Sequence, residues 1–248
     1  MSAYESLAAC YDELTYDIRY EKTLTFFERL CAREHVQPHL VLDLACGTGS
    51  LSMLLAEHGY RVIGADLSEE MLAEAEQKAR DLPEDIRPFF ICQPMQRLRL
   101  AEPADAVICA LDSLNYLMRP DDCRKTFRRV YDALKPGGLF VFDINTPAKL
   151  RGLDGQVFLD ETDDTYCVWR TEFDAKKRLC YYGMAIFRLD GAHGPRSFDE
   201  HIADADEPDE LLSWLQAAGF THVRQYGDRV LRAPKENEQR IYFSAKKD

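Results

Sequence analysis

No stretch of this chain approaches 18 consecutive apolar residues, so nothing in it reads as a membrane-spanning helix. Its opening residues, Met-Ser-Ala-Tyr-Glu-Ser, hold neither a basic nor an apolar segment, so no secretory leader is expected and a cytoplasmic setting is. Basic residues are the minority: 31 Lys and Arg stand against 43 Asp and Glu, for a net charge of −12. A DNA or RNA partner requires a cationic face for its phosphates and is disfavoured here. The eight cysteines (10, 31, 46, 92, 109, 123, 167 and 180) form no C-x-x-C pair and no Cys/His spacing, which argues against a zinc site and fits a reducing compartment. Several, such as Cys92 and Cys109, lie inside apolar runs and read as small core residues. There is no Gly-Lys-Ser/Thr phosphate loop, which removes nucleotide hydrolysis, and no internal repeat.

What is present is concentrated in Val41-Leu42-Asp43-Leu44-Ala45-Cys46-Gly47-Thr48-Gly49. An apolar run ends in an acid, and the two glycines that follow let backbone N–H groups approach a ligand before a helix opens at 50–58. A second apolar run, Arg61-Val62-Ile63-Gly64-Ala65-Asp66, again ends in Asp. Strand, glycine turn, helix, strand and acid together are a plan for holding a nucleoside at the carboxyl edge of a parallel sheet.

The alternation continues to residue 146. Strands are expected at 41–45, 61–66, 86–92, 104–110 and 138–144, and helices at about 50–58, 69–81 and 121–135. Ser68 reads as the N-cap of helix 69–81, whose buried stripe is Met71, Leu72, Ala75 and Ala79. Helix 121–135 carries Cys123, Phe127, Val130, Tyr131 and Leu134 on one face and is expected to stop at Pro136-Gly137-Gly138. After Asn145 the period changes: 165–173 and 178–189 alternate as an antiparallel hairpin. About fifty residues separate the fifth strand from the next helix, far more than an ordinary connection needs. The acidic run Asp199 to Glu210 reads as a solvated loop leading into a helix N-terminus. Pro208 opens that helix, Gly219 closes it, and strands follow at 220–226 and 239–245.

The glycine turn alone leaves two cofactors open. A dinucleotide fingerprint wants Gly or Ala at position 52, where Ser52 stands, and Asp66 suits the ribose of NAD. Four segments in register resemble the class I S-adenosylmethionine-dependent methyltransferases: Leu42 to Gly49, Gly64 to Leu72, Ala104 to Cys109, and Leu134-Lys135-Pro136-Gly137-Gly138. The Tyr11-Asp12 start, Leu111-Asp112-Ser113-Leu114-Asn115-Tyr116-Leu117 and Phe142-Asp143-Ile144-Asn145-Thr146 narrow the likeness to a bacterial group with unassigned acceptors, related to glycine and amino-sugar N-methyltransferases.

The resemblance implies an α/β fold. Its core is a seven-stranded, mostly parallel Rossmann-like sheet with helices on both faces, spanning 1–150 and 206–248. An antiparallel β insertion at 151–205 forms an acceptor-binding lid. It implies S-adenosylmethionine as cofactor and no metal. Asp43 would face the methionyl amino group, Ala45, Gly47 and Gly49 would give close backbone contact, and Asp66 would accept from both ribose hydroxyls. Leu67 and Met71 would sandwich the adenine and Met95 would offer it an N–H. The family's adenine-reading Asp is replaced by Pro94, leaving Gln93 to substitute or the contact to be absent. Tyr11 and Tyr20 would fold over the cofactor; Tyr4 and Tyr16 read equally well as helix packing.

On the acceptor side, Leu111 and Asp112 follow the fourth strand, with Asp112 first in line to hold the reacting group. Trp169, Arg170, Tyr181, Tyr182, Arg188 and His201 are candidates for the acceptor pocket, at most half of them on one face. His201 has the pKa suited to a base and Tyr11 suits the methyl group. The expected activity is methyl transfer to the nitrogen or oxygen of a small molecule. The alternatives are a noncatalytic cofactor sensor, separated by detectable transfer, and an NAD-linked oxidoreductase, disfavoured by Asp43 and Lys135-Pro136-Gly137-Gly138.

Overall fold

The computed structural model describes residue 8 and residues 11–162, 165–188 and 196–248. Tyr4, Cys10 and the Arg188 side chain lie outside what is described. In chain order come α1 (Tyr11–Leu14), α2 (Tyr20–Arg33), β1 (Leu40–Leu44), α3 (Ser50–Glu57), β2 (Arg61–Asp66), α4 (Glu69–Ala79), β3 (Phe89–Cys92), β4 (Ala104–Cys109) and α5 (Pro120–Ala133). There follow β5 (Leu134–Asn145), α6 (Pro147–Gly152), β6 (Val157–Glu161), β7 (Thr165–Asp174), β8 (Leu179–Arg188), β9 (Arg196–Asp204), α7 (Pro208–Ala218), β10 (Thr221–Tyr226) and β11 (Arg240–Lys246).

The main sheet has seven strands in the order β10-β11-β5-β4-β1-β2-β3. Pairing is parallel from β5 through β3, and β11 runs antiparallel to both its neighbours. Strand β1 is buried at every position, as a central strand covered on both faces must be. Leu40, Leu42 and Leu44 face Val107, Phe127, Phe140 and Leu215. Val41 faces the opposite layer of Phe27, Leu30 and Leu55. Asp43 shares the parity of Val41 and so points toward the α3 side.

A second, antiparallel sheet has the order β6-β7-β8-β9. Both strands of the expected hairpin are there, and two strands the sequence did not announce, β6 and β9, flank them. The run Asp199 to Glu210 is therefore corrected: its first part is strand β9, and Asp204 and Asp206 are buried rather than solvated. Burial pushes Asp206 up to about 7, helped by Asp204 nearby.

Three boundaries also move. Helix α5 ends at Ala133, and Lys135-Pro136-Gly137-Gly138 is a bulge inside β5 rather than a loop before it. Gly137 takes φ +79, its N–H donates to the Lys247 carbonyl at 2.6 Å, and Lys247 N–H returns a bond to Gly138. Strand β3 starts only at Phe89, because Pro83 and Pro88 confine Glu84–Ile86 to a single 3₁₀ turn. Cys92, expected in the core, is exposed at the end of this edge strand, whereas Cys109 is fully buried. No helix among the described residues is long and apolar enough to cross a membrane.

Candidate active site

Strands β1, β2 and β4 end side by side, delivering Asp43, Asp66 and the Leu111-Asp112 turn to one edge of the sheet. The loop after β1 curls back on itself through three positive φ angles, at Ala45 (+59), Gly47 (+54) and Gly49 (+76). The Ala45 and Cys46 N–H groups both donate to the Ala65 carbonyl, at 2.7 and 3.1 Å. Gly49 caps α3 from behind: a Cβ there would lie 3.0 Å from Ala75 Cβ and 3.1 Å from the Phe90 ring. Its requirement for glycine is therefore packing together with a left-handed backbone.

Asp43 is fully buried and accepts a 2.6 Å hydrogen bond from Ser52 Oγ. Burial raises its pKa to about 7, and the charge of Asp66 adds to the rise. Asp66 accepts from Gly47 N–H (2.8 Å) through one oxygen and from Ser68 N–H (2.9 Å) through the other, and burial raises it even so. Ser52, at first sight only a departure from a dinucleotide fingerprint, is thus the partner of the buried acid.

These groups open onto a cavity of about 650 Å³. Tyr11, Tyr20, Asp43, Ala45, Gly47, Asp66, Leu67, Met71, Gln93, Met95, Leu111, Asp112 and His201 all stand on its wall. Of the residues singled out from sequence for the site, Gly49 lies behind the wall. Of the acceptor candidates on the second sheet, Trp169 and His201 reach the cavity; Arg170, Tyr181 and Tyr182 do not line it. Tyr16, read either as helix packing or as part of the cover over the cofactor, is 79% exposed and does not line the cavity. Gln93 is occupied elsewhere: its amide donates to the Arg99 carbonyl (3.2 Å) and accepts from Arg99 N–H (2.8 Å).

The Leu111-Asp112 turn is held by Asp143, whose only local signal is its place in the Phe142-to-Thr146 segment. Leu111 and Asp112 both adopt positive φ, which aims their two N–H groups at the buried carboxylate of Asp143, at 2.9 and 3.0 Å. Arg240 from β11 closes the network, donating to Asp143 and, at 2.6 Å, to Asp112 Oδ1. The chain separations, 97 and 128 residues, are why no local pattern announced it. His201 packs edge-on against Tyr116, ring centroids 6.2 Å apart, and burial lowers its pKa. Asn115 donates its amide to the Asn145 carbonyl (3.2 Å) and the Asp204 carbonyl (2.8 Å), tying the ends of β5 and β9 together. Among the described residues no three His, Cys, Asp or Glu side chains group closely enough to hold a metal ion.

A sheet of this order, with a glycine loop after its central strand and an acid closing the next, defines a Rossmann-like protein that binds a nucleoside cofactor. A methyltransferase-domain family matches residues 41–138. A provisionally named methyltransferase of Geobacillus sp. (strain WCH70) is 32% identical over 247 residues, covering 98% of this chain and 99% of the relative. The crystal structure of an S-adenosylmethionine-dependent methyltransferase from Clostridium acetobutylicum ATCC 824 is 30% identical, with a TM-score of 0.87 and 99% of both chains covered. At greater distance, the glycine/sarcosine N-methyltransferase of Aphanothece halophytica is 29% identical over 212 residues, 84% of this chain and 76% of that one. The chain belongs to the class I S-adenosylmethionine-dependent methyltransferases and is an enzyme that uses S-adenosylmethionine.

Proposed function

We propose that the enzyme methylates a nitrogen of a small amine held between the cofactor and the antiparallel sheet. The observation that carries this reading is the cavity itself. One space of about 650 Å³ joins Asp43 and Asp66 to Asp112, Trp169 and His201, a size for a nucleoside cofactor and a compact acceptor. The similarity to a glycine/sarcosine N-methyltransferase supports nitrogen as the acceptor atom. The acid excess disfavours a nucleic-acid substrate. A cytoplasmic setting belongs to the same reading, supported by seven free cysteines among the described residues.

The donor set fits S-adenosylmethionine. Asp43 and Asp66 supply two shielded carboxylates to a ligand bearing an ammonium, a sulfonium and two ribose hydroxyls. When bound, the cofactor supplies an electrophilic methyl group. Asp43 and the Ala45-Gly47 backbone would hold the methionyl end, Asp66 the ribose, and Leu67, Met71 and Met95 the adenine. In-line displacement then needs orientation and exclusion of water. Tyr11 and Tyr20 wall the reacting centre. Asp112, with Oδ1 engaged by Arg240, orients the acceptor N–H instead of removing it. His201, whose uncharged form burial favours, offers a ring nitrogen to the acceptor N–H, and the proton of the new ammonium leaves with the product to solvent. Residues 151–205 act as the lid carrying the acceptor contacts, the rest of the chain as the cofactor-binding core. A screen of small amines, hydroxy acids and thiols for S-adenosylhomocysteine formation tests the reading. Turnover with an amine is the expected result; turnover confined to hydroxy acids or thiols overturns it.

A further inference from the structure

The segment from Tyr11 to Lys22 is a wall of the cavity, contributing Tyr11, Thr15, Ile18, Arg19 and Tyr20 to it. Ala8, Leu14 and Tyr11 also pack with Met71 of α4 and with Cys167, Met184 and Trp169 of the second sheet. This strap therefore lies between the core and the insertion. Removing it would open one side of the cofactor space.

Two acids of the strap reach its surroundings: Glu13 accepts from Thr165 Oγ1 of β7 at 3.5 Å, and Asp12 ties the strap to the glycine loop and to α4. Asp12 Oδ1 accepts from Thr48 Oγ1 at 2.6 Å and Ser50 Oγ at 3.2 Å, while Oδ2 accepts from Lys78 Nζ at 2.5 Å. Lys78 also donates to the same two hydroxyls, at 3.1 and 2.9 Å. Thr48 and Ser50 flank Gly49 in the cofactor loop, and Lys78 sits in the last turn of α4, where the helix dipole favours a cation. The four groups form a closed ring joining the strap, the glycine loop and the helix below it.

A lone surface ion pair contributes little, but a network anchored on hydroxyls of a structured loop has less side-chain entropy to lose. Its position gives it a specific consequence. If the strap swings out to let the cofactor leave, this ring must break in that step.

We propose that Asp12 and Lys78 are positioning residues that latch the strap over the cofactor, so that they set how long S-adenosylmethionine and its product stay bound. Neither side chain lines the cavity. Their effect is exerted through Tyr11 and Tyr20, which the latched strap holds against the cofactor. Loss of the latch leaves the strap held only by its apolar packing and the Glu13–Thr165 bond, without removing a side chain that lines the cavity. Release of the cofactor accelerates, while capture, which starts from the open strap, changes little.

The test uses labelled S-adenosylhomocysteine bound to the full chain and chased with excess unlabelled ligand, so its outcome does not depend on the acceptor. Asp12→Asn and Lys78→Met should each speed release about tenfold, with association unchanged within about twofold. Added salt should speed release from the parent and not from Asp12→Asn. Lys78→Arg, which keeps a cation at the end of α4 able to donate to the same carboxylate and hydroxyls, should release within about twofold of the parent. Release rates equal to the parent in both single variants overturn the latch, and so does a Lys78→Arg protein that releases as fast as Lys78→Met.

Discussion

If the buried acid at the end of β1 faces the cofactor's ammonium, as proposed, cofactor binding should depend on pH in the neutral range. With its pKa near 7, Asp43 is ionised in about a tenth of molecules at pH 6 and about nine tenths at pH 8. For the apoprotein, the folded pKa lies above the unfolded value of 3.8, so this group's contribution to stability is full below about pH 3.8 and is lost as pH rises through about 7. A bound ammonium reverses that preference by pairing with the carboxylate. If only the ionised form pairs, affinity rises about tenfold from pH 6 to pH 8, or about 1.4 kcal/mol, and binding at pH 6 releases close to one proton. Of the other groups near the site, Asp66 is shifted the same way by burial, and burial favours the uncharged form of His201. Asp206 titrates in the same range but does not line the cavity, so it changes stability and not affinity. Calorimetry of S-adenosylhomocysteine binding in two buffers of different ionisation heat measures both affinity and protons. Asp43→Asn should bind more weakly at pH 8 and lose the slope. An affinity that is flat from pH 6 to pH 8 in the parent, with no proton released, would show that Asp43 does not face a cationic group of the ligand.

Three further outcomes are expected. Asp66→Ala removes the acceptor proposed for the two ribose hydroxyls and should weaken S-adenosylmethionine binding by about 1.5–3 kcal/mol in calorimetry, with the melting curve still cooperative. Because the Gln93 amide is engaged by Arg99 and Pro94 offers no acceptor, a cofactor analogue lacking the 6-amino group should bind within about twofold of S-adenosylmethionine itself. Competition binding checks this, and a large loss that disappears in Gln93→Ala would show that Gln93 reads the adenine after all. Arg240→Met leaves Asp143 buried without its cation and should lower stability by about 3–5 kcal/mol in urea unfolding at pH 8, with a smaller loss at pH 5 as Asp143 takes up a proton.

What the sequence displayed well was local. The buried run of β1, the Ser68 cap with its bond from Met71 N–H, and the stripe of α4 all follow from adjacent residues. The acids at the strand ends could be placed because a parallel sheet puts carboxyl ends on one edge. Helix α2 carried a readable signal in Leu24, Phe27, Leu30 and Cys31, spaced as a helix face, but a crowd of tyrosines before it drew the reading elsewhere. The acidic run after Asp199 misled because charge normally marks solvent. Here Asp204 sits at the end of a strand whose alternation the acids conceal. The Arg240 network and the Asp12 ring were beyond reach for a different reason. Each joins residues more than thirty positions apart, and only the folded topology makes them neighbours.

Asn115 has a consequence for how this chain tolerates exchange. Its amide bonds the two carbonyls where the chain departs from the main sheet at Asn145 and where it comes back at Asp204. The excursion between those points is thus cinched at its base to a fixed gauge, whatever lies beyond. A cap of different length or composition should then fit onto the same two stubs without re-registering β5 or α7. The base then behaves as a socket and the sheet above it as a replaceable fitting. Grafting between enzymes of this architecture should be cut at these two residues, and should fail when the receiving chain lacks a side chain that fastens them.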